Sequence, residues 1–367
     1  MIRLAKPSIP EAALDTIREI FKSGDLVQGR FVKEFETELK NYLDTGFSVI
    51  VSSGTAALHL SLMALGIEKD DEVIIPAFTF PATANVIEIL GAVPVPVDIT
   101  FDDYCLDVSA IIPKISDRTK AIIPVHEFGQ SADIEQVMQI AREYNLFVIE
   151  DAACALGTEY KRRKAGTFGN IGCFSFHPRK AITTGEGGLI VTDDRNLADK
   201  VRALRNHGIS DKGDFAYAGL NYRMTDFQAA VGLAQMENIE NSIADRIDMA
   251  HSYDELLADS DHIRTPSVFH DRKNVYQTYH ILLDEMIDRD ILIKELYESG
   301  VQTNIGAQAL HCQTYFKEKY GYEDTDFPAA GRAYRKGLAL PVGDHLQNGD
   351  IEFIVEMLKR SRKKCGD

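Results

Sequence analysis

The chain has 367 residues, 45% of them hydrophobic, and a formal net charge of −16. This length supports a sizeable core and more than one folding unit, while the negative charge argues against broad nucleic-acid binding. The sequence contains no apolar run as long as a membrane-spanning helix, and its start lacks the apolar centre of a secretory signal, so we expect a cytoplasmic protein.

Short apolar runs alternate with helical patterns over the first two-thirds of the chain. The pattern predicts strands at 71–80, 93–99, 120–126 and 145–153, and helices at 83–92 and 131–145. Because strands that alternate with helices form parallel pairs, we predict an α/β fold with a mostly parallel sheet and helices on both faces. The basic run KRRK, Lys161 to Lys164, is interpreted as a solvated hairpin turn.

The pattern changes near Asn241. A long amphipathic helix is predicted at 241–260, then a β-α-β-like series at 278–284, 289–300 and 301–306, and a final helix at 349–364. We therefore predict a large domain over 12–240 and a smaller C-terminal α+β domain over 241–367. Roughly residues 1–11 are expected to belong to the smaller domain.

The cysteine spacing favours free thiols. No pair forms a CxxC motif, and no Cys/His cluster has zinc-ligand spacing, so we expect no metal site. The odd, scattered count fits reduced thiols in a cytosolic protein. The five residues are Cys105, Cys154, Cys173, Cys312 and Cys365.

The segment VSSGTAALHLSLMALG, 51–66, predicts a strand that enters a helix through a Ser-Ser-Gly-Thr turn. The first turn of a helix has unpaired N–H groups and the positive end of the helix dipole, which together bind anions such as phosphate. Ser and Thr also cap ordinary helices, so the motif by itself leaves both interpretations open.

Two further segments carry possible chemistry. FVIED places Glu150 and Asp151 at the carboxyl end of a strand, where open α/β sheets bind ligands; there a carboxylate can stabilise a protonated ring nitrogen or cap the next turn. FSFHPRKAITTGEGG, 174–188, places Lys180 between a strand and a glycine-rich turn. A lysine in such a place can form a Schiff base with an aldehyde or ketone, although a lone lysine is usually a solvated amine.

An anion-binding helix start, a carboxylate for a pyridine nitrogen and a Schiff-base lysine are the contacts that pyridoxal phosphate needs. The chain also resembles the DegT/DnrJ/EryC1/StrS family of pyridoxal-phosphate-dependent nucleotide-sugar aminotransferases, from its start to about Pro341. The resemblance depends on six motifs in order: SSGTAAL (52–58), PAFTFPATAN (76–85), PVHEFGQSAD (124–133), EDAACALGT (150–158), FSFHPRKAITTGEGG (174–188) and GLNYRMTDFQAAVGL (219–233).

This resemblance implies a fold-type-I architecture like that of aspartate aminotransferase, a homodimer with shared active sites, and a role for each matching residue. Lys180 would form the Schiff base and move protons, and Asp151 would pair with the pyridine nitrogen. Phe80 would stack on the pyridine ring. The residues implied to hold the phosphate are Gly54, Thr55, Ser175 and, from across the dimer interface, Asn221.

Cys154 departs from the family pattern. Many relatives carry Gln or His at this position, facing the phenolic oxygen of the cofactor. A thiol is a weak hydrogen-bond donor, so Cys154 has two interpretations: a weak contact to this oxygen or a small buried apolar residue. Phe128 likewise replaces a Tyr that many relatives carry.

Substrate contacts are implied at three positions, each of which could also be structural. Tyr222 and Arg223 would meet a nucleotide diphosphate, and His311 would lie near the sugar. His59, on the Ala/Leu-rich helix, is interpreted as a packed core histidine.

The resemblance implies transfer of an amino group from glutamate to a nucleotide-linked ketosugar, for a surface polysaccharide or a natural product. The alternatives are amination of a cyclitol or carbocyclic ketone, a sugar dehydratase of the same fold, and a non-catalytic cofactor-binding protein. Dehydratases of this fold carry histidine in place of the Schiff-base lysine, so Lys180 disfavours that alternative.

Overall fold

A computed structural model describes residues 1–365, so the last two residues of the predicted small domain, 366 and 367, lie outside the described residues. The helices are α1 (Ala12–Ser23), α2 (Arg30–Leu43), α3 (Gly54–Leu65), α4 (Ala82–Ile89), α5 (Ile134–Glu143), α6 (Arg195–Arg205), α7 (Asp226–Met236), α8 (Ile239–Leu257), α9 (Arg289–Glu298), α10 (Thr314–Tyr320), α11 (Pro328–Lys336) and α12 (Asp350–Cys365). The strands are β1 (Phe47–Val51), β2 (Glu72–Pro76), β3 (Phe78–Thr79), β4 (Val93–Val97), β5 (Thr119–Ile122), β6 (Phe147–Asp151), β7 (Glu159–Tyr160), β8 (Arg163–Lys164), β9 (Ile171–Ser175), β10 (Gly188–Thr192), β11 (Ile263–Arg264), β12 (Arg272–Lys273), β13 (Tyr279–Leu283), β14 (Gln308–Ala309) and β15 (Gly337–Leu340). Over these residues, no helix combines the length and the apolar character that crossing a bilayer requires.

The main sheet has seven strands in the order β1-β10-β9-β6-β5-β2-β4. Strands β9, β6, β5, β2 and β4 pair in parallel, whereas β10 is antiparallel to both β9 and β1. Only β10 therefore runs against the others. The predicted α/β fold with a mostly parallel sheet is confirmed.

The sheet is covered on both faces because its strand side chains alternate. In β2, Val73 and Ile75 belong to a core cluster that includes residues of α3, while Ile74 between them belongs to a different cluster with residues of α5. All three side chains are fully buried. A strand that is apolar on both faces is what a parallel sheet between two helical layers requires.

The C-terminal part of the chain contains a three-stranded antiparallel sheet in the order β11-β13-β15. The strand predicted at 278–284 and the helix predicted at 289–300 are present as β13 and α9, but the strand predicted at 301–306 was wrong. This segment forms only isolated bridges, Val301 with Ile2 and Asn304 with Ala339. At Gly306 the backbone turns into the left-handed region, with φ of 87°, which ends the extended conformation.

The first residues of the chain lie beside this C-terminal sheet. The Ile2 N–H donates to the Gly300 carbonyl over 2.7 Å, and the Gln302 N–H donates to the Ile2 carbonyl over 2.9 Å. These contacts are consistent with the expectation that residues 1–11 belong to the smaller domain. The division into two domains stays a prediction.

The first half of the KRRK segment forms the predicted hairpin turn, because Lys161 and Arg162 connect β7 to β8 with positive φ, as a tight two-residue turn needs. The second half, Arg163 and Lys164, is β8 itself. The cysteines with described side chains are free: Cys105, Cys154, Cys173 and Cys312. The side chain of Cys365 lies outside the described part of the chain.

Candidate active site

A cavity of about 380 Å³ opens at the carboxyl ends of the main-sheet strands. Its wall includes residues at or shortly after the ends of β1, β3, β5, β6 and β9, together with residues near Gly306 and the end of β15. The carboxyl edge of an open α/β sheet is where such folds bind ligands. The cavity contains Lys180 and Asp151, which the sequence predicted as the two principal chemical groups.

Asp151 is the last residue of β6 and is only 5% exposed. The Thr83 hydroxyl donates to Asp151 Oδ2 over 2.8 Å, and the Ala153 N–H donates to Oδ1 over 3.2 Å. Since the single Thr83 proton is used in this bond, the Thr79 hydroxyl, 3.2 Å away, must donate to Thr83. Burial raises the pKa of Asp151, and both hydrogen bonds and the Lys180 charge oppose that rise.

Glu150, the preceding residue, points to the other face of β6 and is structural. Its carboxylate accepts the N–H groups of Gly166, Phe168 and Gly169, over 2.8, 2.6 and 2.6 Å. His126 Nε2 lies 2.9 Å from the same carboxylate. Because the Ala132 N–H donates to His126 Nδ1 over 3.1 Å, Nε2 carries the ring proton that is donated to Glu150.

The start of α3 is a capped helix start and also an open place for an anion, the two interpretations that the sequence left open. Ser53 caps the helix, because its hydroxyl oxygen accepts the Ala56 N–H over 3.0 Å. At Gly54 an added Cβ would lie 2.9 Å from the Ser175 Cβ, so only glycine lets the helix start approach the end of β9 so closely. Gly54, Thr55 and Ser175 all line the cavity, and the N–H groups of a first helical turn have no partners within the helix.

Lys180 lies in the turn after β9, where its own N–H donates to the His177 carbonyl over 2.8 Å. Its side chain is half-buried, and its Nζ donates to Cys154 Sγ over 2.9 Å. Burial raises the pKa of Cys154, which keeps it a neutral thiol that can accept this bond. Cys154 thus lies in the cavity and contacts the lysine, and its contact with a cofactor stays a prediction.

Sequence reasoning missed Glu127, which lies in the cavity and is only 5% exposed. Burial raises its pKa from an ordinary 4.5 to about 8, while the positive charge of Lys180 acts in the opposite direction. An acidic residue within the mostly apolar run IIPVHEFG was the available signal. Thr79, Thr83 and His126 were missed as well, because nothing in their sequence context distinguishes them from ordinary core residues.

Of the remaining predicted residues, only Phe80 lines the cavity, with 65% of its surface exposed. Residues 221–223 do not line this cavity. Asn221 Oδ1 accepts from Arg223 Nε over 3.0 Å, and the Tyr222 hydroxyl lies 3.2 Å from His59 Nδ1. Their assignments to the cofactor phosphate and to a substrate diphosphate stay predictions.

His311 is 1% exposed and packs against the Phe327 ring, so the structure does not bring it to the cavity of the same chain. It forms a cluster with Cys312 and Asp324, whose ligand atoms lie within 4.8 Å of one another. Arg335 already pairs with Asp324 over 3.1 Å, and a guanidinium there disfavours a metal cation. The contact of His311 with a sugar also stays a prediction.

The side chains present fit pyridoxal phosphate. A lysine amine, a buried carboxylate held as an acceptor by Thr83, and a helix start opened by Gly54 line one cavity. These are the groups that bind the aldehyde, the ring nitrogen and the phosphate of this cofactor. The fold and the cavity therefore define a pyridoxal-phosphate-dependent enzyme of fold type I.

Comparison with known proteins agrees with this class. A family model for the DegT/DnrJ/EryC1/StrS aminotransferase family matches residues 7–359. GDP-perosamine synthase of Caulobacter vibrioides is 38% identical over 90% of this chain and 90% of its own, and the spore coat polysaccharide biosynthesis protein SpsC of Bacillus subtilis is 34% identical over 96% and 95%. The PLP form of Spr1654 from Streptococcus pneumoniae superposes with a TM-score of 0.93 at 28% identity, covering 99% of both chains.

The chain belongs to the DegT/DnrJ/EryC1/StrS aminotransferase family. It is a pyridoxal-phosphate-dependent sugar aminotransferase, as the resemblance of its six motifs implied.

Proposed function

We propose that this enzyme transfers an amino group from glutamate to a nucleotide-linked ketosugar, in the biosynthesis of an amino-deoxysugar. The observation that carries the proposal is the joint presence of Lys180 and Asp151 in one cavity at the carboxyl edge of the sheet. Relatives whose names include GDP-perosamine synthase and spore coat polysaccharide biosynthesis support a sugar nucleotide as acceptor and a surface polysaccharide as destination.

Within this proposal Lys180 has two tasks. Its Nζ would hold the cofactor through a covalent link, and the released amine would take the proton from the α-carbon of the amino donor and return it to the carbon on the other side of the transferred nitrogen. When bound, the cofactor supplies an electron sink for the carbon that loses this proton. Cys154 orients the amine, because its thiol accepts the hydrogen bond from Nζ over 2.9 Å.

The other cavity residues bind and orient. The Asp151 carboxylate would hold a proton on the ring nitrogen, and the Thr79–Thr83 hydroxyl chain would keep that carboxylate an acceptor. Phe80 would stack on the ring. The phosphate would be held by Gly54, Thr55 and Ser175.

The proposal includes a homodimer with shared active sites. Asn221 of the partner subunit would complete the phosphate site, and the neighbouring Tyr222 and Arg223 would meet the diphosphate of the substrate. His311 would act near the sugar. This arrangement agrees with the position of the 221–223 segment outside the cavity of its own chain.

Incubation of the purified enzyme with glutamate and a panel of nucleotide ketosugars, followed by mass spectrometry, tests the substrate class. We expect an aminated sugar nucleotide and a stoichiometric amount of oxo acid. Amination of cyclitols or carbocyclic ketones, with none of the sugar nucleotides, would contradict the proposal. A visible cofactor band that no amine donor bleaches would instead indicate a non-catalytic binding protein.

A further inference from the structure

Glu127 is a buried acid in the active-site cavity that the proposed function leaves unused. It follows β5 in a short turn, and its side chain shares the cavity wall with Lys180, Asp151 and Cys154. Carboxylates are rarely this buried unless they are paired or functional, because leaving water is costly for a charge.

The turn that presents Glu127 is strained and firmly held. The next residue, Phe128, has φ of 58°, a left-handed backbone conformation that a bulky residue rarely adopts. Its ring stacks on His280 with centroids 4.3 Å apart, and its carbonyl accepts the Thr278 N–H over 3.2 Å. The Thr158 hydroxyl donates to the Gly129 carbonyl over 2.6 Å. The position of Glu127 is thus built into the cavity wall.

The charges that act on Glu127 come from Lys180 and Asp151. The ammonium of Lys180 favours the ionised carboxylate, whereas the charge of Asp151 and burial favour the protonated acid. Burial prevails and raises the pKa of Glu127 to about 8, so this carboxyl can both bind and release a proton near neutral pH.

Several titratable groups around Glu127 are neutral or engaged elsewhere, among them Asp103, which pairs with Arg272 over 2.8 Å. Burial raises the pKa values of the Cys105 and Cys154 thiols, and it lowers the pKa of His280 to about 3. His126 donates to Glu150. The residues of charged or titratable type along the rest of the cavity wall are His177, Arg179 and Glu186.

We propose that Glu127 is the proton-accepting partner of Lys180. Because Nζ bonds Cys154 and not Glu127, a single proton passes from the Nζ ammonium through solvent in the shared cavity to a Glu127 carboxylate oxygen, which converts –NH₃⁺ and –COO⁻ into –NH₂ and –COOH. The neutral amine then has the free electron pair that attack on a carbonyl carbon requires. No oxidant or reductant takes part. This inference rests on the proposed role of Lys180 and adds the group that makes its amine available.

Carbon-13 NMR of the full chain, freed of cofactor and labelled at the glutamate carboxyls, tests the coupling without any measurement of activity. We expect a carboxyl signal that titrates near pH 8 and is absent from Glu127→Gln. In Lys180→Met the midpoint should rise, because the ammonium charge that favours the carboxylate is gone. A midpoint in the ordinary range of about 4–5, or one that Lys180→Met leaves unchanged, would overturn the proposal.

The rate at which Lys180 forms a Schiff base with added pyridoxal phosphate, followed by visible absorbance from pH 6 to 9, is the second test. In the wild type the rate should rise with an inflection near pH 8 that belongs to the coupled pair. Glu127→Gln should lose this inflection and slow the reaction at pH 8 at least about tenfold. Glu127→Asp, which keeps a carboxyl, should retain part of the rate.

The matched control is Glu143→Gln, which removes an exposed carboxylate at the end of α5 and should leave the profile unchanged. Identical profiles for Glu127→Gln and the wild type would refute the proposal. These measurements use neither glutamate nor a sugar, so a wrong substrate class would not affect them. If no variant gave a visible band, the proposed role of Lys180 would fail instead.

Discussion

Lys180 Nζ donates a hydrogen bond to Cys154 Sγ over 2.9 Å, so the reactive amine is held by a thiol three residues after Asp151. Sulfur is a weak acceptor, and burial raises the pKa of Cys154, so no negative charge is available to strengthen the bond. The hydrogen bond therefore orients the amine in the cavity, and breaking that bond when the amine reacts costs little electrostatic free energy.

Replacement of Cys154 should have a modest effect. Cys154→Ala removes one weak hydrogen bond to an uncharged thiol, which is worth about 0.5–1.5 kcal/mol, so kcat/KM should fall by about two- to tenfold. Cys154→Ser should retain most of the activity, since a hydroxyl accepts the same bond. Steady-state kinetics measures both. A loss of more than about a hundredfold in the serine variant would show that the sulfur itself is needed.

Lys180→Met should abolish turnover and leave the cofactor bound without a covalent link. Nothing else in the proposed mechanism supplies the amine that condenses with the aldehyde. Borohydride reduction followed by mass spectrometry should attach the cofactor to the wild type at Lys180 and to no residue of the variant. Full activity in the variant would remove Lys180 from the mechanism.

Thr83→Val should weaken cofactor binding through Asp151. The variant loses the hydroxyl that donates to Oδ2 over 2.8 Å, and burial then raises the pKa of Asp151 further. We expect the dissociation constant of pyridoxal phosphate to rise about tenfold, which corresponds to about 1.4 kcal/mol. Thr83→Ser keeps the hydroxyl and is the control. Equal affinities for the two variants would mean that this hydrogen bond does not tune the carboxylate.

The cofactor-free chain should lose stability as the pH rises from about 5 to about 8, in part through Glu127. The folded state raises its pKa from 4.5 to about 8, so over this interval the folded chain binds a proton that the unfolded chain has released. The contribution is present at low pH and is lost with a slope of at most about 1.4 kcal/mol per pH unit.

Urea unfolding of wild type and Glu127→Gln at several pH values measures this contribution. The amide cannot ionise, so the difference in unfolding free energy between the two chains should shift in favour of Glu127→Gln as the pH rises. A difference that is constant from pH 5 to 8 would show that Glu127 does not titrate as described.

Mixed dimers test the sharing of active sites. Asn221→Ala should weaken cofactor retention, and a mixture of Asn221→Ala and Lys180→Met chains should regain activity. In such a hybrid, one of the two sites would combine an intact Lys180 with an intact Asn221 of the partner subunit. Folded hybrids without any activity would argue that each chain builds its site alone.

The sequence predicted those strands and helices in which apolar residues are continuous or recur at a regular spacing. Apolar runs such as that of β2 and amphipathic repeats such as that of α5 led directly to the α/β fold. The segment 301–306 was also predicted as a strand, yet it forms only isolated bridges, and Gly306 leaves the extended region. Pairing partners are a tertiary property that a local pattern does not contain.

The same distinction applies to the site. Lys180, Asp151 and Gly54 could be predicted because each lies in a local motif with a chemical reason. Thr83 and Glu127 act only through neighbours that are distant in sequence. The Thr83 contact with Asp151 spans 68 residues, and the acidity of Glu127 depends on burial beside Lys180. The acid in a mostly apolar run marks Glu127 as unusual, but the partners of Thr83 and Glu127 cannot be read from the local sequence.

The opposite orientation of Glu150 and Asp151 has an evolutionary consequence. One acid holds the 166–169 loop and the other faces the cavity, and only the pleat of β6 decides which does which. A one-residue insertion or deletion within this strand would turn Glu150 toward the cavity and Asp151 toward the 166–169 loop. The longer glutamate side chain would then occupy the cavity. Natural variation in chain length is therefore expected to avoid this strand and to accumulate in distant surface loops.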